Sequence, residues 1–323
     1  MNILVTGGLG LIGHNVVRRL KDQGHRVVVV DNCTNYGIIP QDELDYLLAE
    51  RLELIHDVKI HRNDLLEISL FDYLIPHYQI DSIVHLASFP RQKVVNSNPQ
   101  WGSRVMSEGL IAMLEKAKQY KLKRFVYISS SMVYGDFEDQ VTEDAVCSPQ
   151  GQYGIMKLAG EWLVRDYHRR TGIEYVIIRP SAVYGPLDVE DRVISKFILT
   201  AMRGGTINVN GATETLDFTY VTDAADGIVA ATTLPAAANN TFNITKSHSK
   251  SLLAAAELAV SIVGKGSINV RDRDLDFPSR GALNIDKARQ LLAFDPKVDI
   301  EEGFQRYYEW LNNSVYWSKK AVS

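Results

Sequence analysis

An α/β fold built on a doubly wound parallel sheet is predicted by three features of the sequence. A short apolar run at residues 2–6 passes directly into a glycine-rich turn, strand-like and helix-like segments then alternate regularly to about residue 180, and the alternation breaks down beyond it. Parallel strands joined by helical crossovers satisfy that alternation, with helices covering both faces of the sheet.

The elements follow in order. Residues 2–6 (Asn-Ile-Leu-Val-Thr) read as a strand, and residues 11–23 carry Ile12, Val16, Val17 and Leu20 at helical spacing. Residues 26–30 are a β-branched strand ending at Asp31. Residues 44–54 read as a helix, 58–61 as a strand, 66–76 as a helix ending at its proline, and 82–86 as a buried strand. A long helix is expected over 101–120, a strand over 124–129, a helix over 153–170, and a strand over 174–178 stopped at Arg179-Pro180. Past Pro180 the stretches 186–192, 204–216 and 267–280 read as loops, whereas 217–233 and the strand-like 241–244 read as returning to the sheet. The expected organisation is therefore interleaved: residues 1–180 and about 217–246 form the larger unit, and about 181–216 and 247–323 a smaller C-terminal one.

Composition narrows the class. The 323 residues are 46% hydrophobic and 23% charged with a formal charge of −4, so no basic excess recommends nucleic acid. The cluster Lys116, Lys118, Lys121, Lys123 and Arg124 reads as a solvated helix end beside the helix dipole. Two cysteines, Cys33 and Cys147, make no disulfide framework, and the eight histidines show no ligand spacing, so no metal is expected. No apolar run reaches the about 18 residues needed to span a bilayer, and the sequence enters its first strand without a charged leader. A cytoplasmic protein is the expectation.

The turn Thr6-Gly7-Gly8-Leu9-Gly10-Leu11-Ile12-Gly13 sits between strand and helix, which is the context of a dinucleotide fingerprint. Gly7 permits the tight turn, Gly10 lets backbone approach a pyrophosphate, and Gly13 lets the helix lie close on the strand. The phosphates would meet the helix N-terminus at Leu11 and Ile12. Asp31 can accept both hydroxyls of an adenosine ribose and would repel a 2′-phosphate, and Asn32 and Cys33 offer no arginine to reverse that preference, so NAD is expected rather than NADP. Farther on, Tyr153 and Lys157 form a Tyr-x-x-x-Lys pair on one helix face. Lowering a phenol from about 10 to about 7 takes roughly 4 kcal/mol. One cation at about 4 Å supplies that much at an effective dielectric near 20. The pair is thus expected to act as a proton shuttle.

With these residues assembled, the chain resembles the extended short-chain dehydrogenase/reductase family, the nucleotide-sugar epimerases and dehydratases, over nearly its whole length. The stretches that carry the resemblance are TGGLGLIG from Thr6, VVVVDN to Asn32, NDL from Asn63, HLAS from His85, SSSMVYG from Ser129, YGIMK from Tyr153, RPSAVYGP from Arg179 and LDFTYVTDAADG from Leu216. The resemblance implies a Rossmann sheet with a nucleotide-sugar-binding domain, and an NAD that takes hydride from a sugar carbon, usually C4, and returns it. It implies Ser130 as the catalytic hydroxyl beside Tyr153 and Lys157, with Lys157 also holding the nicotinamide ribose. It places Asp64 and Leu65 at the adenine, Leu86, Ala87 and Ser88 along the dinucleotide, and Pro180 near the nicotinamide. It further implies a homodimer formed through the 101–120 and 153–170 helices.

Departures from the family pattern narrow the chemistry. In 4,6-dehydratases the two positions after the catalytic hydroxyl are Asp and Glu; here they are Ser131 and Met132, and a thioether cannot take a C5 proton. No cysteine-histidine pair suits C3/C5 epimerisation. Family members often carry an arginine for the sugar-nucleotide pyrophosphate where this chain has Leu216, and asparagines where it has Ala182 and Met106. The diphosphate must then find other donors, Arg280 first, Lys93 next, and Arg192 or Lys196 behind. With Ser130, Ser131 and Met132 these complete the expected substrate contacts. The leading expectation is a nucleotide-sugar 4-epimerase acting through a transient 4-keto sugar. A C4 dehydrogenase or 4-ketoreductase is its nearest rival, ahead of a 4,6-dehydratase or a non-catalytic NAD-binding regulator.

Overall fold

The computed structural model describes residues 1–34 and 36–322. Its core is a seven-stranded, wholly parallel sheet. β1 (Asn2–Thr6), β2 (Arg26–Val30), β3 (Lys59–His61), β4 (Ser82–His85), β5 (Arg124–Ile128) and β6 (Glu174–Pro180) are joined by a last strand, Asn240–Ile244. The spatial order is Asn240–Ile244, β6, β5, β4, β1, β2, β3. Strand order reverses between β1 and β4, and in such sheets ligands bind beyond the carboxyl ends at that reversal.

The apolar strands are explained by helices on both faces. Along β1, Ile3 and Val5 pack into one cluster with Val16, Val17 and Leu20 of α1 (Leu11–Asp22), while Leu4 between them packs on the other side with Phe71, Leu74, Leu110 and Met113. The same two-residue alternation sends Val27 and Val29 one way and Val28 and Val30 the other. At about 25 cal/mol per Å² of buried apolar surface, these two layers supply the main stabilisation of the fold.

Several elements differ from expectation for identifiable reasons. The Ile68–His77 helix runs one residue past Pro76 instead of ending there; the proline has no N–H for the Asp72 carbonyl, and Tyr120 Oη, donating to Asp72 Oδ1 at 2.9 Å, lies 3.4 Å from that oxygen. The long helix expected over 101–120 is continuous but not uniform: Pro99–Ser103 and Gly109–Gln119 flank a π-helical turn at Arg104–Glu108. Met106 lies in that turn, buried with Phe89, Val94, Val95, Val105 and Met156. Two of the stretches read as loops contain strands, Thr206–Asn210 pairing in parallel with Ser267–Arg271, and Thr215–Asp217 pairing antiparallel with Ser249–Ser251. The first shows the period-two signal, Ile207 and Val209 inward between exposed Thr206, Asn208 and Asn210. These strands and the helices Val193–Met202, Leu252–Val263 and Ile300–Asn313 surround a separate apolar cluster that includes Ile198, Val209, Phe218, Phe304, Tyr307 and Trp317. Lys116 and Arg124 do not belong to a solvated face: both are buried, Lys116 on Asp72 at 2.5 Å and Arg124 on Glu174 at 2.9 Å and on the carbonyls of Thr232 and Leu234.

One buried ion pair fixes the helix Gly151–Thr171 against the sheet. Arg179 of β6 makes a bidentate contact with Glu161 of that helix, Nε to Oε1 at 2.8 Å and Nη2 to Oε2 at 2.7 Å, with both side chains almost fully buried. Ser129 Oγ donates to the same carboxylate at 2.6 Å, and Arg179 Nη1 reaches Tyr134 Oη at 2.8 Å and the Glu143 carbonyl at 3.1 Å. Tyr134 in turn donates to Asn243 of the last strand at 2.8 Å. Among the described residues no helix is long and apolar enough to cross a membrane, and no group of histidine, cysteine and acidic residues is placed to hold a metal.

Removing one partner of such a pair leaves an uncompensated buried charge. Arg179→Met is expected to lower stability by about 3–5 kcal/mol. The double substitution Glu161→Met/Arg179→Met should recover part of that loss, and chemical denaturation of the three proteins measures both.

Candidate active site

A cavity of about 750 Å³ opens at the carboxyl ends of the strands and continues to the strand Thr206–Asn210 and Arg280. Every catalytic, cofactor and substrate candidate read from the sequence lies in its wall, whereas Met106 does not. The glycine turn contributes Gly7, Gly10, Leu11, Ile12 and Gly13, the next strand ends contribute Asp31, Asn32, Asp64 and Leu65, and β4 leads to Leu86, Ala87 and Ser88. Ser130, Ser131, Met132, Tyr153, Lys157 and Pro180 line the middle, with Lys93, Arg192, Lys196 and Arg280 beyond them.

The turn has the shape that its glycines require. Gly7 adopts φ +72°, and a Cβ there would lie 2.6 Å from the Ala87 nitrogen; on Gly13 it would lie 2.2 Å from the Gly7 carbonyl oxygen. Gly10 faces space, a Cβ meeting only the Gly7 oxygen at 3.3 Å. No side chain caps α1, so its first amides at Leu11, Ile12 and Gly13 border the cavity as anion donors. Asp31 is oriented by two amides, Leu9 N on Oδ2 at 2.9 Å and Cys33 N on Oδ1 at 2.8 Å. Burial pushes its carboxyl up, and these amides and the Arg51 charge act against the rise. Asn32 bonds Asp64 at 2.9 Å, which joins the ends of β2 and β3. A donor-rich turn beside a fixed carboxylate suits a diphosphate joined to a ribose diol.

Ser130, Tyr153 and Lys157 come from three local devices. Ser130 caps the short turn Ser131–Val133, its Oγ accepting the Met132 amide at 3.2 Å. Tyr153 lies in the first turns of the Gly151–Thr171 helix, half-buried in the cavity wall. Lys157, one turn on, is buried, its Nζ donating to the Ile128 carbonyl at 2.7 Å. The electrostatics differ from the simple pairing expected from spacing. Lys157 Nζ stands 5.8 Å from the Tyr153 ring centre. Burial raises the Tyr153 phenol, while a hydrogen bond from Ser130 and the charge of Arg192 pull it down. Lys157 itself is lowered to about 7 by burial, against the pull of Glu161. The Arg192 charge that acts on Tyr153 comes from the residue preceding the Val193–Met202 helix.

The far end of the cavity is cationic and partly apolar. Arg280 is brought down to about 10 by burial and by the charge of Arg192, so two guanidinium groups converge where an anion would relieve them. Arg280 Nη1 lies 3.5 Å from the Met132 sulfur. Lys196 and Arg91 both pair with Asp191, Arg91 also reaching the Asp191 carbonyl at 2.7 Å. Lys93 is exposed at the margin. Leu216 and Ala182, where the family pattern has arginine and asparagine, line the same wall. Sequence reasoning missed Arg51, whose guanidinium donates to the Leu9 carbonyl at 2.8 Å and the Leu187 carbonyl at 2.6 Å, joining the glycine turn to the 186–192 loop. It also missed Gln92 and Asp188; none carries a local motif, and only the fold brings them to the cavity.

The profile of the NAD dependent epimerase/dehydratase family matches residues 3–245. The uncharacterized UDP-glucose epimerase YtcB of Bacillus subtilis is 30% identical, over 97% of this chain and 98% of its own. UDP-glucuronic acid decarboxylase 1 of Arabidopsis thaliana is 29% identical, over 98% of this chain and 71% of its own. Among solved structures, the UDP-glucuronic acid 4-epimerase of Bacillus cereus in complex with UDP-glucuronic acid and NAD superposes with a TM-score of 0.88 at 30% identity, covering 96% of this chain and 98% of that one.

The histidines beside the cavity set a pH response. His85, with Thr6 Oγ1 at 2.9 Å from its Nδ1, is held down to about 3 by burial, as is His14. Their native pKa lies below the unfolded value near 6.5, so their contribution is complete above that value and lost as pH falls from 6.5 toward 3, at about 1.4 kcal/mol per pH unit each. Denaturation midpoints measured from pH 7 to 5 should fall, and His85→Gln should fall less steeply than the unaltered protein.

Proposed function

Because the chain belongs to the NAD dependent epimerase/dehydratase family, we propose that it is a nucleotide-sugar 4-epimerase working on a retained NAD through a transient 4-keto sugar. The observation that carries this reading is the convergence of Ser130, Tyr153 and Lys157 on the cavity that also holds the glycine turn and Asp31. The UDP-glucuronic acid 4-epimerase complex with NAD and the UDP-glucose 4-epimerase complex with UDP-glucose lend it support from matching folds.

The dinucleotide fits the turn. Leu11, Ile12 and Gly13 would hold its diphosphate, Asp31 its adenosine ribose, Asp64 and Leu65 its adenine, and Lys157 with Pro180 its nicotinamide half. When bound, NAD supplies a reversible acceptor for the hydride of the sugar C4. Tyr153 removes the proton of the C4 hydroxyl and later returns it, while Ser130 hydrogen-bonds the same oxygen and keeps it in line with the phenol. Lys157, buried with a pKa near neutrality, supplies a mobile positive charge one turn away. Arg280 and Arg192 take the sugar-nucleotide diphosphate in place of the arginine absent at Leu216. Ser131 and Met132 offer no carboxylate to take a C5 proton, which separates the site from a dehydratase.

In this reading the sheet with its returning strand, residues 1–180 and about 217–246, serves the dinucleotide, and the smaller unit, about 181–216 and 247–323, serves the sugar nucleotide. Exposed Trp101, Ile111, Ile155 and Trp162 on the Pro99–Gln119 and Gly151–Thr171 segments support a homodimer through those helices. The two free cysteines suit a reducing cytoplasm.

Purified protein incubated with UDP-, GDP-, dTDP- and CDP-sugars in deuterated water without added cofactor should yield the C4 epimer free of solvent deuterium. A stoichiometric keto product with reduced cofactor would support the dehydrogenase reading, deuterium at C5 a dehydratase, and carbon dioxide from UDP-glucuronic acid a decarboxylase. Tyr153→Phe should lower turnover by orders of magnitude while NAD stays bound, and unchanged turnover would remove Tyr153 from the mechanism. Trp162→Glu should give a monomer by sedimentation.

A further inference from the structure

Among the described residues, four of the five buried side-chain polar atoms without a hydrogen-bond partner belong to residues of the cavity wall: Arg51 Nε, Gln92 Oε1, Asp188 Oδ2 and Arg280 Nε. Three belong to charged groups with partners elsewhere on the same side chain or within ionic reach. Gln92 is different, because its amide orientation is fixed. Its Nε2 donates to the Asp276 carbonyl at 2.6 Å, and a carbonyl oxygen accepts only, so the end facing Asp276 must be the nitrogen. Oε1 is then an acceptor with nothing to accept, in a residue 5% exposed. Buried acceptors in folded proteins are nearly always matched, so an unmatched one in the wall of a ligand cavity calls for a donor from outside the chain, a bound water or the ligand itself.

The location narrows which part of the ligand that is. The Gln92 carboxamide rests against Gly151, where φ is +76° and a Cβ would lie 2.3 Å from Nε2 and 2.6 Å from Oε1. Gly151 opens the helix that carries Tyr153 two residues later, so the carboxamide stands beside the start of the catalytic helix. On its other side Asp276 belongs to the segment leading through Phe277 and Pro278 to Arg280, all three in the cavity wall. A diphosphate has acceptors only and cannot satisfy Oε1. A sugar offers hydroxyl or acylamino N–H donors.

We propose that Gln92 is a specificity-determining residue of the sugar subsite, its Oε1 accepting a hydrogen bond from one hydroxyl or acylamino group of the bound sugar nucleotide. This rests on the nucleotide-sugar reading above. The Asp276 contact holds the carboxamide in place before the ligand arrives, and Gly151 leaves it the room. A sugar lacking that donor would leave Oε1 unmatched and be rejected.

The test is calorimetric titration of NAD-loaded protein with whichever of UDP-glucose, UDP-glucuronic acid, GDP-mannose, dTDP-glucose and CDP-glucose binds best, with its free nucleoside diphosphate, and with analogues in which each sugar hydroxyl or acylamino group in turn is hydrogen. Gln92→Leu and the shape-matched Gln92→Met should weaken the sugar nucleotide about 10- to 100-fold, leaving free nucleoside diphosphate affinity and NAD content unchanged. One analogue should bind the unaltered protein weakly by the same factor and show no further loss in either variant. Undiminished affinity in the variants overturns the assignment. Equal weakening of the free nucleoside diphosphate places the donor on the nucleobase, and equal weakening of every analogue makes Gln92 a structural latch; either result also overturns it. Absence of binding by the unaltered protein overturns the nucleotide-sugar reading itself and this proposal with it.

Discussion

The Glu161–Arg179 pair is the constraint on which the site depends. Two opposite charges with almost no exposure are tied by a bidentate contact, and each also satisfies groups from other elements: Ser129 and Arg165 on the carboxylate, Tyr134 and the Glu143 carbonyl on the guanidinium. Burial opposes charge on Arg179, and the Glu161 carboxylate outweighs it. Such pairs contribute little net stability compared with apolar packing, but they permit one geometry. Here that geometry sets the rotation of the Gly151–Thr171 helix against β5 and β6. Lys157, one turn before Glu161, is thereby directed at the Ile128 carbonyl, and Tyr153 at the residue following Ser129.

From this frame the electrostatics follow. Burial lowers Lys157 to about 7 against the pull of Glu161, and burial of Tyr153 raises the phenol. Spacing alone points to the lysine as the group that makes the tyrosine acidic; in the structure burial raises the phenol, and Ser130 and the charge of Arg192 act against that rise. Arg192 is held through Asp188 at 3.7 Å and the Val183 carbonyl at 3.4 Å, so the 186–192 loop positions the charge that acts on the Tyr153 phenol. Arg51 joins that same loop to the glycine turn.

Much of this was legible from residues alone because local rules dominate there. The limits of β1 and β2 follow from continuous apolar runs closed by Gly7 and Asp31, and the glycine positions follow from sterics that no other residue meets. What escaped was non-local. Pro76 falls in the last turn of its helix, where it orphans only the Asp72 carbonyl, and Tyr120 from a distant segment packs beside that residue. The strand Ser267–Arg271 has few apolar residues and is specified by its partner Thr206–Asn210 rather than by its own pattern. Arg124 is buried because β5 is central, a fact its basic neighbours conceal. Gln92 and Arg51 belong to no motif, and each gains its meaning from chain segments more than a hundred residues away, Asp276 and Leu187.

The sheet's outermost strand bears on how the polypeptide is made. Asn240–Ile244 pairs with β6, and the Val221–Thr233 helix before it packs on α1, so the layer that shields Val16, Val17 and Leu20 is completed by residues synthesised long after them. On the ribosome, the N-terminal half emerges with that layer only partly closed, α1 covering β1 and β2 but itself open on its outer side until the later segment arrives. Sequence-distant pairing of this kind slows folding and prolongs the life of sticky intermediates. Nascent chains stalled before residue 240 should therefore be clients of holding chaperones, whereas chains released beyond it bury the exposed face themselves.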